Sequence, residues 1–210
     1  MLPAKRPKCS EPESVPESIM HEWSLYLVVG ILGALIGSFL NVCIFRLPRG
    51  ESIVWPGSHC PSCTHPIEFY DNIPLLSYLW LGGRCRACRT PISIRYPLVE
   101  VTNALGYLTI LWYFGPTWTA ALYALLFSAL VVVTGTDLTH KMIPNVITLP
   151  GIVVGLLGAV TVLPVGVINS VVGLAVGGGL LWLLAWLSPY LFGKEGMGGG
   201  DIKLLAMVGA

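Results

Sequence analysis

Five long apolar stretches and the start of a sixth decide first what this chain can fold into. They run from Trp23 to Phe45, Pro97 to Phe114, Trp118 to Thr136, Asn145 to about Val162 and Val165 to Phe192, and the sixth begins at Ile202. Each complete stretch approaches the ~20 residues that a helix needs to cross a bilayer. Only helices and closed barrels satisfy every backbone polar group in lipid. Charge is scarce, at 11% of residues against about 25% in soluble domains. The pattern predicts an all-α polytopic membrane protein with about six transmembrane helices, the last incomplete. The first stretch exceeds the ~7–15 residues of a signal-peptide core, and no small-x-small cleavage site follows it. It reads as a retained helix, preceded by a tail over 1–22. A net charge of +1 gives no reason to expect nucleic acid as a partner.

Orientation follows from the basic residues. Arg46, Arg49, Arg84, Arg86, Arg89 and Arg95 lie between the first two apolar stretches, Lys141 between the third and fourth, and Lys194 and Lys203 around the start of the sixth. The turns "GPT" and "LPVG" on the other side carry no charge. Nine of the twelve Lys and Arg residues therefore share one side, which the positive-inside rule makes the cytoplasm. Lys5, Arg6 and Lys8 in the tail weaken the asymmetry, but four acidic residues follow them.

Residues 46–96 form the one substantial soluble insertion. It holds "CPSC" at 60–63 and "CRAC" at 85–88, separated by 21 residues. Two such knuckles can aim Cys60, Cys63, Cys85 and Cys88 at one tetrahedral metal, most often zinc, with iron the main metal rival. Disulfides are the other reading, and a reducing cytoplasm disfavours them. Four thiolates close the site, so its role reads as structural, and metal would supply much of the stability of so small a domain. His59 and His65 flank the first knuckle and read as solvated loop residues. Cys43 reads as packing within the first helix, and Cys9 as incidental in the tail.

Two aspartates belong to the membrane part. Asp137 ends the third apolar run, and Asp201 follows three consecutive glycines, Gly198, Gly199 and Gly200, where the sixth begins. A carboxylate at membrane depth is expensive to keep and marks a functional candidate. Two at one level can share a proton, one acting on water as general base and the other as general acid. That chemistry hydrolyses peptide bonds without a protein nucleophile. The glycines permit close approach of another chain, letting the loop pack against a substrate or a partner helix and set Asp201 opposite Asp137. Helix capping by Asp201 is the simpler alternative. Glu100 reads as a partner for a nearby arginine such as Arg95, rather than as a third member of the site.

These motifs carry a resemblance. "GSFLNVCIFRLPRG" at 37–50, the paired CxxC insertion, "DLTHKMIPN" at 137–145 and "EGMGGGDIKLLA" at 195–206 occur in the order found in type IV prepilin peptidases, the GxGD-type membrane aspartyl proteases of pilus and type II secretion systems. The resemblance implies Asp137 and Asp201 as the catalytic pair, Gly198 and Gly200 as the glycines of GxGD, and zinc on the four cysteines. It implies cleavage of the leader of prepilins or pseudopilins at the cytoplasmic face of the inner membrane. N-methylation of the new amine with S-adenosylmethionine would follow, an activity that the family associates with the cytoplasmic domain. No methyl-donor site can be assigned from spacing. Glu68, Asp71 and Asn72 in "EFYDNIP" resemble a polar stretch of that domain, and a solvated loop explains them equally well. The implied organisation is a tail (1–22), a first transmembrane helix (23–45), a zinc-ribbon-like cytoplasmic domain (46–96) and a transmembrane peptidase domain (97–210). Family members usually continue through further helices, and a last helix of about nine residues at 1.5 Å each does not span the bilayer.

Two other classes compete. A proton-coupled transporter would place its carboxylates near the midplane on broken, repeated helices, whereas these lie at the edge. A non-enzymatic pilus or secretion assembly protein, docking a partner through the cysteine domain, leaves Asp137 and the glycines unexplained.

Overall fold

A computed structural model describes residues 17–192 and 198–210. The described residues form α1 (Glu17–Arg46), α2 (Leu76–Trp80), α3 (Arg95–Phe114), α4 (Trp118–His140), α5 (Asn145–Thr161), α6 (Val167–Phe192) and α7 (Gly199–Gly209). Leu47–Arg49 and Phe69–Asn72 are short 3-10 turns, and no β-strand occurs among the described residues. Each apolar stretch is thus a helix. Residues 1–16 with Cys9, and Lys194 and Glu195, lie outside the described residues. α1 begins at Glu17, before the apolar boundary at Trp23, because helical hydrogen bonds propagate through polar residues that lipid would reject.

Three helical segments are long and apolar enough to cross a membrane: Trp23–Arg49, Trp118–His140 and Val167–Ser188. α5 is apolar but has 17 residues, about 26 Å of rise, and α7 has 11, about 17 Å. α3 has 20 residues and carries Arg95, Glu100 and Asn103.

α1 packs closely along α3 because small residues let the two backbones touch. A Cβ on Gly33 would lie 2.8 Å from Ala104 Cα, and one on Gly37 would lie 2.8 Å from Glu100 Cα. Such contacts substitute for the hydrophobic drive that lipid removes. Polar side chains then lock the register. Asn103 Nδ2 donates to Gly33 O at 2.8 Å, Ser128 Oγ donates to Asn103 Oδ1 at 3.0 Å, and Tyr107 Oη shares a 2.9 Å hydrogen bond with Ser128 Oγ. This buried chain joins α1, α3 and α4. Nearer the cysteine domain, Asn41 Nδ2 donates to Tyr96 O at 3.1 Å. Leu40, Cys43, Ile44 and Val132 form a buried apolar cluster, so Cys43 is a packing residue. On the other side, α7 lies against α6, where a Cβ on Gly177 would lie 2.7 Å from Leu205 O.

The ends of the elements follow local rules. Gly115, at φ 64°, ends α3, and Thr117 caps α4 by accepting from Ala120 N at 3.2 Å. Lys141, at φ 54°, ends α4 in the left-handed region, with its N–H on Asp137 O at 2.9 Å. Segment 141–144 then turns the chain into α5.

Candidate active site and metal centre

Asp137 stands in the last turn of α4 and is exposed. Thr136 beside it is fully buried, with its hydroxyl on Val133 O at 2.9 Å. Gly135 lies against Ile44, so the end of α1 supports the Asp137 turn. Asp201 is also exposed and is the third residue of α7. The N-cap of α7 is Gly198, with no side-chain capping bond, so the capping alternative for Asp201 does not hold. As an acidic residue in the first turn, Asp201 still gains from the helix dipole.

Two contacts join these turns. A Cβ on Gly200 would lie 2.9 Å from Ile143 Cβ, so α7 begins in backbone-close packing on the segment that follows Asp137. Lys203 Nζ donates to Asn145 Oδ1 at 2.9 Å, tying α7 to the first residue of α5. Both carboxylates therefore emerge at one end of the bundle, linked through 141–145. Of the three glycines, only Gly200 is sterically required here. A Cβ on Gly199 meets nothing within 4 Å, and one on Gly198 meets only Asp201 Oδ2 at 3.8 Å.

Glu100 does not pair with Arg95. It is 7% exposed, and its Oε2 accepts from Leu75 N at 2.8 Å. Ser38 supplies a second hydrogen bond. Leu75 sits at φ 62°, and the Glu100 contact compensates a backbone that an apolar side chain rarely adopts. Glu100 thus anchors the cysteine-bearing segment to α3.

That segment brings all four cysteines together. The sulfurs of Cys60, Cys63, Cys85 and Cys88 all lie within 4.8 Å of one another, and Cys60 Sγ is 3.8 Å from Cys88 Sγ. Sulfurs about 2.3 Å from a tetrahedral metal stand about 3.8 Å apart, so the thiols fit such an ion. Their electrostatics divide the four thiols. Amides of Cys63 and Ser62 lower the Cys60 pKa, and Thr90, through its side chain and its amide, lowers that of Cys88 to about 6. The His65 amide acts the same way on Cys63, but desolvation and the neighbouring thiols outweigh it and push that thiol up to about 11. Four thiolates this close repel one another, and a bound cation removes the conflict.

The two knuckles are copies of one another. Cys60 N and Cys85 N donate to His65 O and Thr90 O, each at 2.9 Å. Thr64 and Arg89 take left-handed angles of 57° and 60°. Single antiparallel bridges, His59 with Pro66 and Arg84 with Pro91, replace the strands of a full ribbon. The repeat is legible as "CPSCTHPI" and "CRACRTPI", a signal that counting CxxC alone misses. His59 and His65 are exposed and lie outside the cluster. Asp71 is not a free loop residue. It accepts from Arg86 Nε at 2.7 Å and from its Nη2 at 2.6 Å, joining the 69–72 turn to the second knuckle. Glu68 is exposed.

Comparison with known proteins decides the family. Residues 31–114 match the bacterial peptidase A24 N-terminal domain, and 124–210 match the type IV leader peptidase family. A prepilin leader peptidase/N-methyltransferase of Pseudomonas aeruginosa is 38% identical over 90% of this chain and 73% of its own length. The chain belongs to the type IV leader peptidase family. Other members with the same description come from Aeromonas hydrophila, 41% identical over 90% of this chain and 73% of the relative, and Xanthomonas campestris, 40% identical over 85% and 70%. No solved structure matches. In this leader peptidase the first matched region spans the second half of α1, the cysteine domain and α3, and the second covers both aspartates. The first match ends with α3, and the second begins at residue 124, inside α4.

Proposed function

We propose that this membrane protein is an aspartic endopeptidase that removes the leader of type IV prepilins or pseudopilins and then N-methylates the new amino terminus. The observation that carries the peptidase reading is the packing of Gly200 on Ile143, which brings the Asp201 turn beside the segment following Asp137. One carboxylate takes a proton from water as it attacks the scissile carbonyl, and the other donates a proton to the leaving amine. Gly198 and Gly199, with no neighbour crowding their Cα atoms, leave backbone for an extended substrate segment to approach. Zinc on Cys60, Cys63, Cys85 and Cys88 holds the domain between α1 and α3. S-adenosylmethionine supplies the methyl group. Helices α1, α3, α4, α5, α6 and α7 cross or enter the inner membrane, with the cysteine domain and both aspartates on the basic, cytoplasmic side.

The test compares wild type, Asp137→Asn and Asp201→Asn in proteoliposomes with a leader-bearing prepilin. Mass spectrometry should find the leaderless product with wild type alone, and the added mass of one methyl group when S-adenosylmethionine is present. Cleavage that survives either substitution would remove that aspartate from the mechanism. Metal analysis should return one zinc per chain; iron in its place would overturn the zinc assignment.

A further inference from the structure

A cavity of about 220 Å³ lies beside the cysteine-domain end of α1, remote in character from the carboxylate site. Its long wall is one stripe of α1, with Leu35, Phe39 and Val42 as the apolar part and Ser38 and Arg46 as the polar part; Asn72 and segment 53–58 close the top. Arg46 is 7% exposed, yet it carries a full charge. Its Nη1 donates to Ser52 O at 3.0 Å and its Nη2 to Gly57 O at 3.3 Å. A guanidinium has five N–H donors, so others remain for a ligand. Among the described residues no carboxylate lies within ion-pair distance of Arg46. Glu100 is no counter-ion, since it bonds Ser38, eight residues or about 12 Å back along α1. A buried cation without an anion is strongly disfavoured.

The shape says which anion fits. Leu35 and Phe39 are about half exposed, so the apolar wall opens towards lipid. Leu35 to Arg46 is eleven residues, about 16 Å of helix, close to the ~15 Å of one hydrocarbon leaflet. Whole-ligand pockets for drug-sized molecules hold about 300–1,000 Å³, and this one is smaller, suited to a headgroup. Basic pockets at a helix end bind lipid headgroups by the same logic. We infer that this cavity holds the phosphate of an anionic phospholipid against Arg46, with an acyl chain lying down the Leu35–Phe39–Val42 stripe. The bound lipid would then join α1 to segment 53–58 and steady the first knuckle, which begins two residues later.

The test is native mass spectrometry of the full chain from nanodiscs containing phosphatidylglycerol and phosphatidylcholine, after detergent delipidation. Wild type should retain one phosphatidylglycerol, preferred at least tenfold over phosphatidylcholine. Arg46→Gln should lose it. Val42→Trp keeps the arginine and fills the cavity from one helical turn away on the same wall, and should lose it too, so a folding defect in the first variant leaves the question answerable. Equal retention by Val42→Trp and wild type would overturn the proposal. Displacement of the lipid by S-adenosylmethionine would reassign the site to the methyl donor's carboxylate, and displacement by inorganic phosphate would make it a site for free anions; either result overturns it.

Discussion

Gly200 and Asp71 show how single side chains, or their absence, carry this structure. Gly200→Ala puts a Cβ within 2.9 Å of Ile143 Cβ, and neither atom has a rotamer by which to escape. The start of α7 must shift, and under the proposed mechanism that moves the Asp201 carboxylate, a misplacement that costs rate steeply. Prepilin cleavage should fall about tenfold, equivalent to about 1.4 kcal/mol of barrier. Gly199→Ala meets no neighbour and should change cleavage little; an equal loss would move the glycine requirement from packing to substrate approach. Asp71 yields a pH prediction. Hydrogen bonds from Arg86 hold its carboxyl below the usual carboxylate range, and the arginine charge adds to them. A carboxyl lowered by folding stabilises the fold above its unfolded value of about 3.9 and loses that contribution as pH falls through the folded value. Hydrogen-exchange protection across 68–72, corrected for the intrinsic rate, should therefore fall below about pH 4 in wild type. Asp71→Asn should exchange faster at neutral pH with a flatter acid profile. The difference between the two proteins isolates the ion pair from protonation of the thiols.

Helix pairs are joined by a different economy. α1 and α3 meet over glycines, and Asn103 fixes their relative height through Gly33 O while Ser128 links the pair to α4. Hydrogen bonds between membrane helices contribute about 0.6–2 kcal/mol each. Asn103→Leu should lower stability by about 1–2 kcal/mol in micelle unfolding, and Ser128→Ala by less, because Asn103 keeps its bond to Gly33. Similar losses for both would mean that Ser128 carries the network. Each apolar run is a helix, and the helix ends depart from the hydropathy boundaries. α1 ran past its apolar boundary to Glu17, since hydropathy reports lipid contact and not helicity. The register of α1 on α3 was in principle visible in "GALIG", with its glycines four apart, but a spacing of small residues names no partner.

Across the whole molecule, the helices and the cysteine domain are held together in different ways. Helices hold themselves by internal hydrogen bonds, whereas the described part of 47–94 has only short turns and α2. Removing zinc with a strong chelator should expose this region to protease while α4, α5 and α6 stay protected. Cleavage spread evenly over both parts would show that the cysteine domain is not metal-dependent on its own. Glu100, by holding Leu75, should confine the first cuts to the knuckles rather than to the start of α3.

The apolar runs and the paired knuckles followed from the sequence because each is written in local spacing: hydropathy is contiguous along a helix, and CxxC sets two thiols on one turn. Tertiary structure decided what spacing cannot encode. It took Glu100 from the expected Arg95 to the Leu75 amide, gave Asp71 to Arg86, made Gly200 the glycine that packing requires, and buried Arg46 beside a cavity. These outcomes join residues from separate elements, and a charged or small side chain has many partners equally acceptable to its sequence neighbours. Only the packed helices, by fixing which turns stand at one level, choose among them.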